Sequence, residues 1–111
     1  MGTMGDPGGR YAAYTARLVD GVLAAPGDTP GALRRAVLER AGGSGGKDIP
    51  PAIAAYVDKV ARHAYKVTDE DVAGLLEASW TQDQVFELTL ATALGEGRRR
   101  IDVALAALEE A

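Results

Sequence analysis

Two helix starts stand in tandem between Thr68 and Leu94, and they constrain this chain more than any other feature. Thr68 is followed three residues later by Asp71, and Thr81 three residues later by Gln84. Both spacings are capping boxes, in which a threonine oxygen takes an orphan amide and the later side chain reaches back to the cap. Asp69, Glu70 and Asp71 crowd the first turn behind Thr68, where the helix dipole favours negative charge. Apolar stripes follow each cap: Val72, Leu75 and Leu76, then Val85, Phe86, Leu88, Leu90 and Leu94. The pattern predicts a helical hairpin with a core face. Trp80, just ahead of the second cap, is placed to staple onto that helix at Val85.

The second helix of the hairpin should not stop at Gly95. Ile101, Leu105 and Leu108 extend the stripe, so one helix to about Glu109 is expected, weakened at Gly95 and Gly97. Ala91 with Gly95, and Ala93 with Gly97, are small residues four apart that admit a close helix neighbour. Upstream, the period of Tyr11, Tyr14, Leu18 and Val22 predicts a helix over Arg10–Ala24, broken by Pro26-Gly27. Thr29-Pro30 reads as a cap and first-turn proline for a helix over Gly31–Ala41, with Leu33, Ala36 and Val37 inward and Arg34, Arg35, Glu39 and Arg40 outward. Asp48 reads as the cap of a third helix, whose prolines occupy the first turn and whose core stripe is Ile53, Val57, Val60 and Ala64. The fold expected is all-α, about five helices in one domain over residues 10–111. Residues 1–9 form a Gly-rich tail expected to be disordered, and Gly42 to Lys47 a flexible linker.

Function classes fall away by composition. No cysteine occurs among the 111 residues, which removes disulfides, thiolate metal sites and thiol nucleophiles. One histidine and no paired ligand spacing leave no metal site or cofactor to expect. A formal charge of −4 opposes a nucleic-acid footprint. Val72 to Leu88 has the look of a helix-turn-helix, but its second helix would present Asp83 and Glu87 to phosphates. No apolar run has the length of a membrane span, and a cytoplasmic location is the default expectation. With one Phe and one Trp, a lone copy has a thin core. A homo-oligomer joined through the C-terminal helix is therefore expected.

The run Leu75-Leu76-Glu77-Ala78-Ser79-Trp80-Thr81-Gln82-Asp83-Gln84-Val85-Phe86-Glu87-Leu88, with the Ala-rich helix after it, resembles the C-terminal half of the carboxymuconolactone decarboxylase and alkyl hydroperoxidase D-like family. The resemblance covers Pro51 to Ala111 and implies an all-helical, oligomeric bundle. In the family's peroxidase branch, two cysteines and a histidine precede this hairpin and a relay glutamate stands farther upstream. Those positions fall here at Ala64, Val67, Asp71 and Ala52, so the resemblance does not bring the redox chemistry with it. What it implies is a cysteine-less, oligomeric structural or small-ligand-binding protein. The alternative is a decarboxylase-type enzyme doing acid–base chemistry on a small carboxylate or lactone.

The acid–base candidates are His63, Glu87 and Asp71. His63 is the only histidine, the residue type suited to general acid–base work at neutral pH, and Tyr56, His63 and Tyr65 are the candidate ligand-binding set. An inward Glu87 would need a cation, with Arg62 or one of Arg98–Arg100 as candidates, and burial would raise its pKa. Arg98-Arg99-Arg100 cannot form one flat patch on a helix, whereas Glu96–Arg100 and Arg98–Asp102 have the spacing of helix-surface ion pairs.

Overall fold

The computed structural model describes residues 7–110, with side chains from residue 13 onward apart from residue 15. Five α-helices follow one another: α1 Pro7–Ala24, α2 Gly31–Ala41, α3 Pro51–His63, α4 Asp69–Glu77 and α5 Gln82–Glu110, with a 3₁₀ turn at Ala64–Lys66. Helix α1 begins three residues before the expected Arg10, and residues 1–6 of the expected tail lie outside the described residues.

Both capping boxes form as read. The Thr68 amide donates to Asp71 Oδ2 at 2.8 Å while Asp71 N–H reaches Thr68 Oγ1 at 3.4 Å. The Thr81 amide donates to Gln84 Oε1 at 2.9 Å, and Gln84 N–H returns to Thr81 Oγ1 at 3.1 Å. Between them the chain reverses through Ser79, whose φ of 79° is left-handed. Trp80 N–H closes on Leu75 O at 3.1 Å and Ser79 N–H on Leu76 O at 3.0 Å. That pair of hydrogen bonds is the Schellman stop of a helix. Local chemistry alone therefore sets the α4–α5 hairpin.

The caps expected for α2 and α3 do not form. Pro30 and Pro50 occupy the two N-cap positions with no side-chain cap bond. Thr29 is turned into the protein instead, and Asp48 takes a φ of 60° in the linker.

The core joins Val37 and Ala41 of α2, Ile53, Tyr56, Val57 and Ala61 of α3, Leu75 of α4, and Val85, Leu88 and Ala91 of α5, with Trp80 packed against it. On α3, Tyr56 and Ala61 take core places expected for Val60, half-buried, and Ala64, exposed. On α5 the buried arc is Val85, Leu88, Ala91, Thr92, Gly95 and Glu96. Phe86, at 66% exposure, and Leu90, at 41%, lie off that arc and correct the stripe read from sequence. Ala91 and Gly95 admit a close neighbour, and it is α2 of the same chain: a Cβ on Gly95 would overlap Leu38 O and lie 3.0 Å from Ala41 Cβ. Helix α1 stands apart from this core, with Val19 its one buried apolar side chain among those described.

Candidate functional site

Glu87 is the best-connected of the candidate residues. It stands in the second turn of α5 and points at the α1–α2 loop. Oε2 accepts the Asp28 N–H at 2.6 Å, and Oε1 accepts the Thr29 N–H at 2.9 Å and the Thr29 hydroxyl at 2.6 Å. Arg34 Nη1 lies 3.5 Å from Oε1. The cation is thus Arg34, and not Arg62 or the Arg98–Arg100 run. The carboxyl is held below its usual range, first by the Asp28 amide and then by the Thr29 hydroxyl, and these donors outweigh burial. The expected rise from burial is reversed because the carboxylate accepts four donors.

Arg34, expected on the outward face of α2, is buried at 5% exposure. Its Nη1 donates to Thr29 O at 2.5 Å, and its Nη2 to Leu23 O at 3.2 Å and Ala25 O at 2.6 Å. Those carbonyls belong to the end of α1 and the loop after it, where helix carbonyls lack partners. Arg34 is therefore a C-terminal cap supplied by a different helix. Its Nε is the one buried side-chain nitrogen or oxygen without a hydrogen-bond partner among the described residues. The tight approach needs Gly27, where a Cβ would fall 2.7 Å from Glu87 Oε2.

An apolar groove of about 330 Å³ opens above this clasp, between α1 and α5. Leu18, Val22, Pro26 and Leu90 line it together with Glu87, Arg34 and Arg17. Glu87 and Arg34 compensate each other. The Arg17 guanidinium lies 5.0 Å from the Tyr14 ring centroid and has no carboxylate partner among the described residues. The groove thus carries net positive charge in a chain that is negative overall. Gly21 also lines it, and a Cβ there would meet nothing within 4 Å.

The other candidates lie elsewhere. His63 is exposed at the end of α3, edge-to-face with Tyr65 at 6.2 Å between ring centroids, and Tyr65 is 79% exposed. Tyr56 is buried with its hydroxyl 2.8 Å from Thr89 Oγ1. Thr89 gives its own proton to Val85 O at 2.7 Å, so Tyr56 is the donor of that pair. Asp71 Oδ2 accepts from Lys59 Nζ at 2.8 Å as well as from the Thr68 cap. Its carboxyl is held low, chiefly by that ammonium. The structure therefore does not bring His63 together with Glu87: Arg62, beside His63, bonds Glu96, about 13 Å along α5 from Glu87 at 1.5 Å per residue.

Glu96 is the functional-looking residue that sequence reasoning missed as a buried group. It is 9% exposed and accepts from Arg62 Nη1 at 2.8 Å, Arg99 Nη2 at 2.8 Å and Arg100 Nε at 2.9 Å. The Glu96–Arg100 spacing was legible, but the cross-helix bond from Arg62 was not. Arg99 first, against the cost of burial, and then Arg100 bring its pKa from 4.5 down to about 2. A depressed carboxylate contributes stability above its unfolded pKa and loses it as pH falls through the folded value. The melting temperature is therefore expected to fall between pH 4.5 and about 2, and Glu96→Gln to flatten that fall. Melting curves against pH for the two proteins check it.

A second groove, of about 700 Å³, runs between α3 and α5 beside this cluster and includes Tyr65, Ala64, Arg62 and Arg100. Its two cations are already bonded to Glu96, and neither His63 nor Tyr56 lines it. Among the described residues, no group of three or more His, Cys, Asp or Glu side chains is placed to hold a metal ion. No helix among them is long and apolar enough to cross a membrane. Compared with family models, with curated proteins and with solved structures, the chain gives no match in any of the three.

Proposed function

We propose that this chain is a non-redox, self-associating module of the carboxymuconolactone decarboxylase-like type that binds a small ligand without turning it over. The observation that carries the ligand half is the α1–α5 groove, whose lining joins apolar side chains, a compensated ion pair and the uncompensated Arg17. Binding grooves combine mostly apolar lining with a few polar groups that fix orientation. The ligand that matches is an amphipathic monocarboxylate, its alkyl chain against Leu18, Val22 and Leu90 and its carboxylate at Arg17. Catalysis is disfavoured because acid–base work needs convergent free groups. The Glu87 and Asp71 carboxylates are each engaged by their own donors, and His63 is exposed and lines neither groove. The self-association half is supported by the exposed apolar side chains Ile101 and Leu108 near the end of α5.

Octanoate and decanoate are expected to raise the melting temperature of the protein in a concentration-dependent way. Gly21→Leu is expected to abolish that shift while leaving the fold intact. A side chain at Gly21 has free space before it, and leucine raises helix propensity by roughly 0.8 kcal/mol over glycine. Equal shifts in wild type and variant, or none in either, would count against the groove.

A further inference from the structure

We infer that two copies of this chain pair their α5 ends antiparallel, with residues 98–110 of one lying against the same segment of the other, centred near Ala104. The inference rests on the self-association proposed above and adds the partner's orientation and register.

Beyond Arg100 the helix is largely exposed. Every residue from Ile101 to Glu110 is exposed except Leu105, which is half-buried. A helical segment this short gains little from backbone bonding alone in water, and helices in proteins draw most of their stability from packing an apolar face. Ile101, Ala104, Leu105 and Leu108 follow the i, i+3, i+4, i+7 spacing and make such a face. Ile101 is 41% exposed and Leu108 60% exposed, so the face is uncovered at both of those positions in a single copy, with Leu105 between them half-buried.

The charge along the segment decides the occupant. Arg98, Arg99 and Arg100 stand at its start, Asp102 one turn on, and Glu109 and Glu110 at its end. Arg99 and Arg100 are bonded to Glu96, so Arg98 is the arginine of the segment with no ion pair among the described residues. The sign still reverses from Arg98 to Glu109. Such a segment complements a copy of itself only when the two run in opposite directions. A parallel pair sets the arginines abreast and the glutamates abreast. The geometry is also specific. Arg98 and Glu109 are about three full turns apart and so lie on the same flank of the helix. An antiparallel two-fold contact brings equal flanks together, because each residue meets its counterpart twice. With the axis at Ala104, Arg98 and Glu109 of the second copy, and likewise Ile101 and Leu108, lie within one residue of direct opposition, about 1.5 Å along the helix. The helix dipoles also oppose in this arrangement.

The absence of cysteine makes the arrangement directly testable. Ile101→Cys and Leu108→Cys, the second carrying a mass tag, are mixed and oxidised. Mixed 101–108 disulfides are expected to dominate over 101–101 and 108–108 dimers. Predominant same-position dimers would mean a parallel pair and overturn the inference. Sedimentation of the untouched protein separates the remaining outcomes. If it sediments as a dimer but no cross-link forms, a different face is used, and this register is wrong while self-association stands. If it is a monomer throughout, self-association fails as well. Charge reversal gives a second reading on a fully folded protein. Arg98→Glu is expected to weaken dimerisation about three- to tenfold at low salt, two exposed ion pairs being lost, and Arg98→Glu with Glu109→Arg to restore it. Failure of the double variant to restore association would also overturn the register.

Discussion

Glu87→Ala is expected to destabilise the protein by about 3 kcal/mol, because it leaves the Arg34 guanidinium buried without its counter-charge. For a domain of this size that is a fall in melting temperature on the order of 10–20 °C. The Glu87 side chain is 20% exposed and that of Arg34 6%, so the pair is shielded well enough for the loss to be felt. The same change strips acceptors from two loop amides and the Thr29 hydroxyl. Those amides fix the loop that carries α1, so the loss should appear first as fraying of α1. Glu87→Gln keeps an acceptor for the loop and is expected to cost less. Glu77→Ala, at an exposed position, is the matched control with little effect. Denaturation of the three variants, with hydrogen exchange on α1, checks it. If Glu87→Ala melts with the control, the clasp does not hold α1.

Gly95→Ala and Gly74→Ala are expected to move stability in opposite directions. Both glycines are helical, and by propensity alone each change should help by roughly 0.8–1 kcal/mol. At Gly74 a new methyl meets nothing within 4 Å, so the gain should be realised. At Gly95 it would overlap the Leu38 carbonyl and press on Ala41 Cβ, and the nearest of these is backbone that cannot rotate away. Helices α2 and α5 must separate, and overpacking of this kind costs typically 1–3 kcal/mol or more. A net loss of about 2 kcal/mol is expected. Urea titrations of the two variants measure both signs, and a stabilised Gly95→Ala would mean that the two helices are not in contact there.

The elements legible in the sequence are those whose information is local. Thr68–Asp71 and Thr81–Gln84 are three residues apart, and each helix began where its box said. The full length of α5 was also legible, since one helical period runs through Gly95 and Gly97. Which face of α5 is buried was not. Phe86 and Leu90 are more apolar than Thr92 and Glu96, yet the latter pair is buried. Thr92 returns its hydroxyl to Leu88 O at 2.7 Å, and Glu96 is met by three arginines, so both go inside with their polar atoms satisfied. The Arg34–Glu87 clasp was hidden for a related reason. Its partners are 53 residues apart, and Arg34 sits in an Arg-Arg pair that reads as a solvated flank. The one local hint was Gly27-Asp28-Thr29 ahead of Pro30, a loop whose small residues allow a carboxylate to approach its amides. His63 stood out by being the only histidine, which is a property of composition and not of position.

Backbone amide NMR of the protein titrated with octanoate reports where a ligand sits, and so decides between the α1–α5 groove and the surface around His63. Binding in the α1–α5 groove gives saturable shifts at Arg17, Gly21, Gly27 and Leu90, with His63 and Tyr65 unmoved. Shifts centred on His63, Tyr65 and Arg62, or none up to millimolar ligand, would contradict it.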